Sequence, residues 1–161
     1  MPVVGLMTAV PMKQLVVDRE QCGPLLVECF CTLGVTNAVR AGEPVQSKFA
    51  SKEDRVRAGT INIILVTNAT LTVPAMVGAV QVATESKTAT LIKHKIPSAY
   101  ERGALATGTG TDAVVLASSL TGNNKVKYSG THTEMGAMIG RLVARCVERG
   151  LHRYARWHKR R

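Results

Sequence analysis

Apolar and polar positions alternate along this chain in blocks that predict a small number of elements. "TINIILVTN", residues 60–68, is an apolar run rich in β-branched residues and suits a central strand. "PVVGLMTAV", residues 2–10, reads as a buried strand, and "PLLVECFCTLGVTNAV", residues 24–39, as a longer one turning at Gly34. Between them and the central strand, residues 40–58 are charged and rich in turn formers, which predicts a surface loop.

Helical periodicity takes over at residues 74–93, where Val77, Val80, Thr84, Thr88 and Leu91 recur at helical spacing. Thr72 and Pro74 supply the start signal, because proline is tolerated in a first turn whose N–H groups have no partner anyway. Pro97 ends the segment by disfavouring the helical conformation at Ile96. "ALAT" and "AVVLASSL" then read as extended pieces on either side of "GTGTD", with "TGNN" as a hairpin-like turn into "KVKYS". A last helix is predicted over residues 131–157, its apolar stripe formed by Met135, Met138, Ile139, Leu142 and Cys146. Strands and helices do not alternate strictly, so the expected fold is α+β, a mixed or largely antiparallel sheet packed by two main helices.

Length and composition narrow this further. A chain of 161 residues is one domain with a real core. Hydrophobic residues at 45% and charged residues at 20% indicate a globular class, and no apolar stretch reaches the roughly 18 residues that span a bilayer. The opening "MPVVGLMTAV" carries neither a basic leader nor a small-residue cleavage site, so a cytoplasmic location is expected. Cys22, Cys29, Cys31 and Cys146 have no metal-ligand spacing and read as reduced, mostly buried thiols. His94, His132, His152 and His158 are scattered, and no metal site is expected.

The net charge of +10 is concentrated near the end of the chain. Arg141, Arg145, Arg149, Arg153, Arg156, Lys159, Arg160 and Arg161 are opposed by Glu148 alone, and the basic helix end covers about residues 149–161. Such a segment suits an anionic surface or RNA. A solvated helix end whose cations complement the helix dipole is the favoured reading. With 4% aromatic residues the chain has few stacking platforms, so nucleic acid is not an expected partner.

Candidate chemistry lies in two polar stretches. In "YSGTHTEMG", Thr131 and Glu134 match a capping box, which by itself accounts for both. His132, Ser129 and Thr133 are left over. A first-turn histidine sits against the positive end of the dipole, which favours the neutral imidazole that a general base requires. A solvated histidine is the simpler alternative. Gly136 and Gly140 interrupt this helix and mark close backbone packing, or an intersubunit face, so a homodimer is also an expectation.

In "ATGTGTDA", Gly108 and Gly110 permit successive amides to form a nest for an oxyanion, with Thr109, Thr111 and Asp112 adding polar groups. A bulged strand is the alternative. Glycine spacing rules out the dinucleotide fingerprint, and no Lys-Ser/Thr pair follows to make a phosphate-binding loop of the Walker kind. Asn37, Asn62 and Asn68 lie in or beside apolar strands, where an amide needs a partner. Glu85 and Lys87 fall in the middle helix and read as surface residues, although "ATESKTATL" carries few charges for a solvent face.

At "GTINIILVTNATLT", "ATESKTATL", "IPSAYERGALATGTGTDAVVLAS" and "YSGTHTEMGAMIGRLV" the sequence closely resembles the adenosylcobinamide amidohydrolases, and "VGLMTAV" and "LGVTNAVRAGEP" extend the likeness. The resemblance implies hydrolysis of the amide joining the aminopropanol arm to the corrinoid, releasing adenosylcobyric acid for cobalamin salvage. It implies a corrinoid substrate and no cofactor of the protein's own, the cobalt arriving with the substrate. Family members carry a further portion ahead of "GLMTA", so this chain is expected to be N-terminally short. A non-catalytic module that keeps the corrinoid or anion pocket is the alternative.

An amide hydrolase needs a water activator, donors for the tetrahedral oxyanion and a proton source for the leaving amine. The expectation is that the "GTGTD" loop and the "GTHT" helix start converge on the scissile amide. His132 or Asp112 would then handle protons. Thr131 would be a catalytic neighbour of His132, and Gly108, Thr109, Gly110, Thr111, Ser129, Asn62 and Glu134 would bind substrate.

Overall fold

A computed structural model describes residues 3–44 and 59–158 of the chain. Residues 45–58 of the loop expected over 40–58, and the last three basic residues, lie outside these. Four strands form the main sheet: β1 (Val16–Cys22), β2 (Leu25–Leu33), β4 (Ile61–Thr67) and β7 (Ala113–Ser118), in the order β1-β2-β4-β7. The first three run antiparallel to their neighbours, and β7 lies parallel to β4. Short pairs complete the set: β3 (Ala38–Val39) with β6 (Gly108–Thr109), and β5 (Thr70–Leu71) with β8 (Lys125–Val126). The helices are α1 (Val73–Lys93) and α2 (Glu134–His158). This is the α+β architecture, mixed but largely antiparallel, that the pattern predicts.

Alternation of side chains sends Val27, Cys29 and Cys31 of β2, with Ile61, Ile63 and Leu65 of β4, onto one face, where they are almost fully buried. α2 covers that face over β1 and β2, and α1 covers it toward β7. The α2 stripe of Met135, Met138, Ile139, Leu142 and Cys146 enters this core. It is therefore not an intersubunit face, as the sequence had allowed. On the sheet's other face Phe30, Ile64, Val66 and Val115 are half-buried.

Several local expectations shift. β1, in a stretch with no predicted element, is joined to β2 through Gly23, whose φ of 53° is a conformation glycine adopts without penalty. "PVVGLMTAV" forms no strand: Val3, Val4 and Met7 are exposed. "TGNN" does not make a hairpin either, because β8 leaves β7 to pair in parallel with β5. Such pairing depends on β5 lying beside it, which no local pattern encodes.

α1 begins as expected, with Thr72 as N-cap accepting from the Ala75 amide at 3.3 Å. The buried side of α1 is made of Ala75, Ala79, Val82, Ala83, Lys87, Thr90 and Leu91, so Val77, Val80 and Thr84 face outward. α2 starts two or three residues later than predicted. Thr133, not Thr131, is its N-cap, its hydroxyl oxygen accepting from the Gly136 amide at 3.0 Å. Glu134 accordingly occupies the first helical position instead of closing a capping box on Thr131.

Arginines spaced by four along α2 meet the carboxylates of β1. Arg141 and Arg145 bond Glu20, while Arg145 and Arg149 approach Asp18 at 3.1 and 3.4 Å. Burial alone would raise the Asp18 and Glu20 pKa values, yet the hydrogen bonds and charge of these arginines hold both below their ordinary values. Much of the basic run is thus internal bracing of the edge strand. Among the cysteines, Cys29, Cys31 and Cys146 are buried and Cys22 is exposed, all free. Burial pushes the Cys31 thiol well above its ordinary value.

Candidate active site

The loop between β6 and β7 folds around the Asp112 carboxylate. One oxygen, Oδ1, accepts from the Ile61 amide at 2.9 Å and from the Thr109 hydroxyl at 2.5 Å. The other, Oδ2, accepts from the Thr109 amide at 3.1 Å and from Lys87 Nζ at 2.5 Å. Both members of the ion pair are largely withdrawn from water, with 9% and 13% of their side-chain surfaces exposed. Three separate pieces of chain therefore meet at one carboxylate: the start of β4, the middle of α1 and the β6–β7 loop.

Gly108 is required by this closeness. A β-carbon there would lie 2.5 Å from Asp112 Oδ2 and 2.8 Å from Lys87 Nζ. The nest expected from Gly108 and Gly110 does not form. Among the described glycines only Gly23, Gly42 and Gly103 take positive φ, and the Thr109 amide is occupied by the protein's own carboxylate. Gly108 instead makes room for a carboxylate–ammonium pair, and Gly110 faces open space.

A cavity of about 430 Å³ opens onto this group, lined by Val39, Ala41, Thr84, Lys87, Thr88, Thr107, Gly108, Thr109, Gly110 and Asp112. Two of its threonines serve the backbone: Thr88 donates to the Thr107 carbonyl at 2.9 Å, and Thr107 Oγ1 accepts from the Ala41 amide at 2.8 Å. Lys87 and Thr109 are the groups placed to act on a ligand. An ammonium carries three donors, and one of them reaches Asp112.

Lys87 is the functional candidate that sequence reasoning assigned to the surface. Its signal was positional: it falls in register with Ala79, Ala83, Thr90 and Leu91 on the buried side of α1, in a stretch poor in charge. A lysine on an apolar helix face needs a partner. Asp112, 25 residues away in sequence, is that partner.

On the far side of the same loop, Thr111 Oγ1 donates to the Gly59 carbonyl at 3.2 Å, and Thr60 Oγ1 to the Thr111 carbonyl at 2.8 Å. Here a second cleft of about 460 Å³ is lined by Met7, Thr8, Ala9, Asn37, Gly59, Thr60 and Thr111. The Asn37 side-chain oxygen Oδ1 is buried beside it without a hydrogen-bond partner among the described residues. Asn62 anchors the N-terminal segment by donating to the Met7 carbonyl at 2.8 Å. Asn68 braces the β1–β2 turn region through the Leu26 amide and the Pro24 carbonyl.

The "GTHT" stretch lies elsewhere. Asp112 immediately precedes β7, whereas the chain reaches Thr131 and His132 only after leaving the strand's other end. Six residues of strand span roughly 20 Å. A second ruler agrees: Ser129 donates to the Ala75 carbonyl at the start of α1, and Lys87 is twelve residues further along, or about 18 Å of helix. The expected convergence of the two turns does not occur. The β4–α1–β7 crossover places them at opposite ends of the layer.

At that end Ser129 is 1% exposed and locks the turn to α1, while Gly136 packs where a β-carbon would collide with the Ser129 and Gly130 carbonyls. Thr131 and His132 are exposed, and their side chains make no hydrogen bond among the described residues. Glu134 is exposed and hydrogen-bonds the Cys22 thiol, raising its pKa. The other three histidines line a further cavity of about 440 Å³, where His94 bonds Glu148 at 2.9 Å.

Fold and site together describe an α+β domain with a buried ammonium–carboxylate–hydroxyl cluster at the wall of an open cavity. A family model described as adenosylcobinamide amidohydrolase matches residues 1–159, and the chain belongs to this family. The adenosylcobinamide amidohydrolase of Methanosarcina mazei is 34% identical over 156 residues, covering 92% of this chain and 66% of that relative. The one of Halobacterium salinarum is 32% identical over 148 residues, covering 91% and 57%. An uncharacterized protein of Methanocaldococcus jannaschii is 37% identical over 157 residues, covering 88% and 60%. The chain thus spans roughly three fifths of the length of these relatives. No solved structure matches it. No helix among the described residues is long and apolar enough to cross a membrane.

Proposed function

We propose that this chain hydrolyses the amide between the aminopropanol arm and the corrinoid of adenosylcobinamide, releasing adenosylcobyric acid for cobalamin salvage. Membership of the family supports the reaction class. The observation that carries the reading is the Lys87–Asp112–Thr109 cluster facing an open cavity of about 430 Å³, a volume in the range of small-molecule sites. In this reading the arm enters the cavity and the corrin stays outside.

Water adds to the carbonyl carbon, the C–N bond breaks, and the water's proton ends on the departing aminopropanol nitrogen. Lys87 supplies hydrogen bonds to the oxyanion, where an ammonium in a water-poor wall is strongest. Asp112 already accepts four hydrogen bonds, so both of its oxygens are engaged by the protein itself. Its part is to hold Lys87 and Thr109 in place, and the Thr109 hydroxyl orients the attacking water. No resident cofactor enters the reading, since cobalt comes with the substrate. A reducing, cytoplasmic setting is supported by the four free cysteines.

Incubating the purified chain with adenosylcobinamide and separating the products by chromatography tests this directly. Adenosylcobyric acid and aminopropanol should appear in equal amounts. Thr109→Val should reduce kcat by about 100-fold, the loss expected for a positioned polar group. Unchanged turnover in Thr109→Val would remove this cavity from the reaction. A thermal shift with adenosylcobinamide but no product would identify a binding module instead.

A further inference from the structure

Arg141, Arg145 and Arg149 are matched to Asp18 and Glu20, but the next turns of α2 are not. Arg153 Nη1 donates to the Leu15 carbonyl at 2.5 Å, which pins the short 3-10 turn Met12–Gln14 beside the end of α2. Between the turn and the helix lies a cleft of about 540 Å³, lined by Lys13, Gln14, Arg153, Arg156 and Trp157. That volume is in the range of small-molecule sites, about 300 to 1,000 Å³.

Among the described residues no carboxylate lines the cleft, and neither Lys13 nor Arg156 has an ion-pair partner. The negative end of the helix dipole accounts for Arg156, in the last turn of α2. It does not account for Lys13, which arrives on a different element and faces the same space. Cations converging from two elements on one cleft raise the local concentration of anions there. Guanidinium groups match phosphate oxygens in geometry and charge, and the half-buried Trp157 indole adds a flat wall against which a base can stack.

We propose that this cleft binds a nucleoside polyphosphate, the phosphates held by Lys13, Arg153 and Arg156 and the base set against Trp157. It is distinct from the Lys87–Asp112 cavity. The cleft lies beside the β1 edge of the sheet, and the cavity beside β7 at the opposite edge.

Trp157 is the chain's one tryptophan, so its emission reports on the cleft. The full chain is titrated at low salt with ATP, inorganic tripolyphosphate and adenosine. ATP should change the emission saturably, tripolyphosphate should displace it, and adenosine should require at least about tenfold more ligand for half-saturation. Combined Lys13→Glu and Arg156→Glu, both at exposed positions, should weaken ATP at least about tenfold while leaving the thermal melt in place. Absence of a saturable change with ATP, equal ATP binding by the double variant, or adenosine binding as tightly as ATP would each overturn the proposal. An oligouridylate RNA that binds far more tightly than ATP would overturn it in favour of RNA.

Discussion

At Gly108 a hydrogen stands where any other residue would place a carbon against the Lys87–Asp112 pair. Gly108→Ala should therefore push the two charges apart. Removing one partner of a buried pair costs about 3 kcal/mol, because the other charge is left without compensation. Lys87→Met should cost a similar amount and abolish hydrolysis, read by chemical denaturation and product formation together. Thr109→Val separates the two effects, since it removes a hydroxyl while leaving both charges paired. His132→Ala should leave turnover within about twofold of wild type, because the imidazole is exposed at the other end of the layer. A hundredfold loss in that variant would return the "GTHT" turn to the reaction.

At the scale of the element, α2 is held at its start by a cap and along its outer side by charge. Thr133→Ala should destabilise the fold by about 1 kcal/mol, measured by thermal or denaturant unfolding, and Thr131→Ala should not. The arginine ladder makes a pH prediction. Asp18 and Glu20 have depressed folded-state pKa values, so their contribution is complete above their ordinary values of 3.8 and 4.5. It is lost as pH falls through the lower folded-state values. Arg145→Met, which touches both carboxylates, should lower stability by about 1 kcal/mol at pH 7 and flatten the acid limb of a melting-temperature profile. An unchanged acid limb would mean that the ladder contributes nothing to acid sensitivity.

At the scale of the molecule, the parallel β4–α1–β7 unit decides where chemistry can assemble. It returns the chain to the end of the sheet from which β4 started, so Asp112 meets the Ile61 amide and the inward side of α1. The segments at 7–9, 36–38, 59–62 and 107–112, far apart in sequence, gather around that end. The polar stretch before α2 is carried to the other end and spends its groups on structure: Ser129 on Ala75 and Thr133 on the helix N-terminus.

By itself the sequence determined the class of fold, the central strand, both helices and the apolar stripe of α2, since each rests on periodicity within one segment. It also singled out "GTGTD" as a candidate, through glycines beside a carboxylate. It could not supply the β1–β2 hairpin, the parallel pairing of β8, or the partner of Lys87, because these depend on which surfaces meet after collapse. Two polar turns of similar composition were indistinguishable as strings. Only tertiary structure decided between them, by burying a lysine behind one and leaving the other exposed at a helix start, and the physical reason is that an ammonium on an apolar face is stable only where the fold delivers a carboxylate to it.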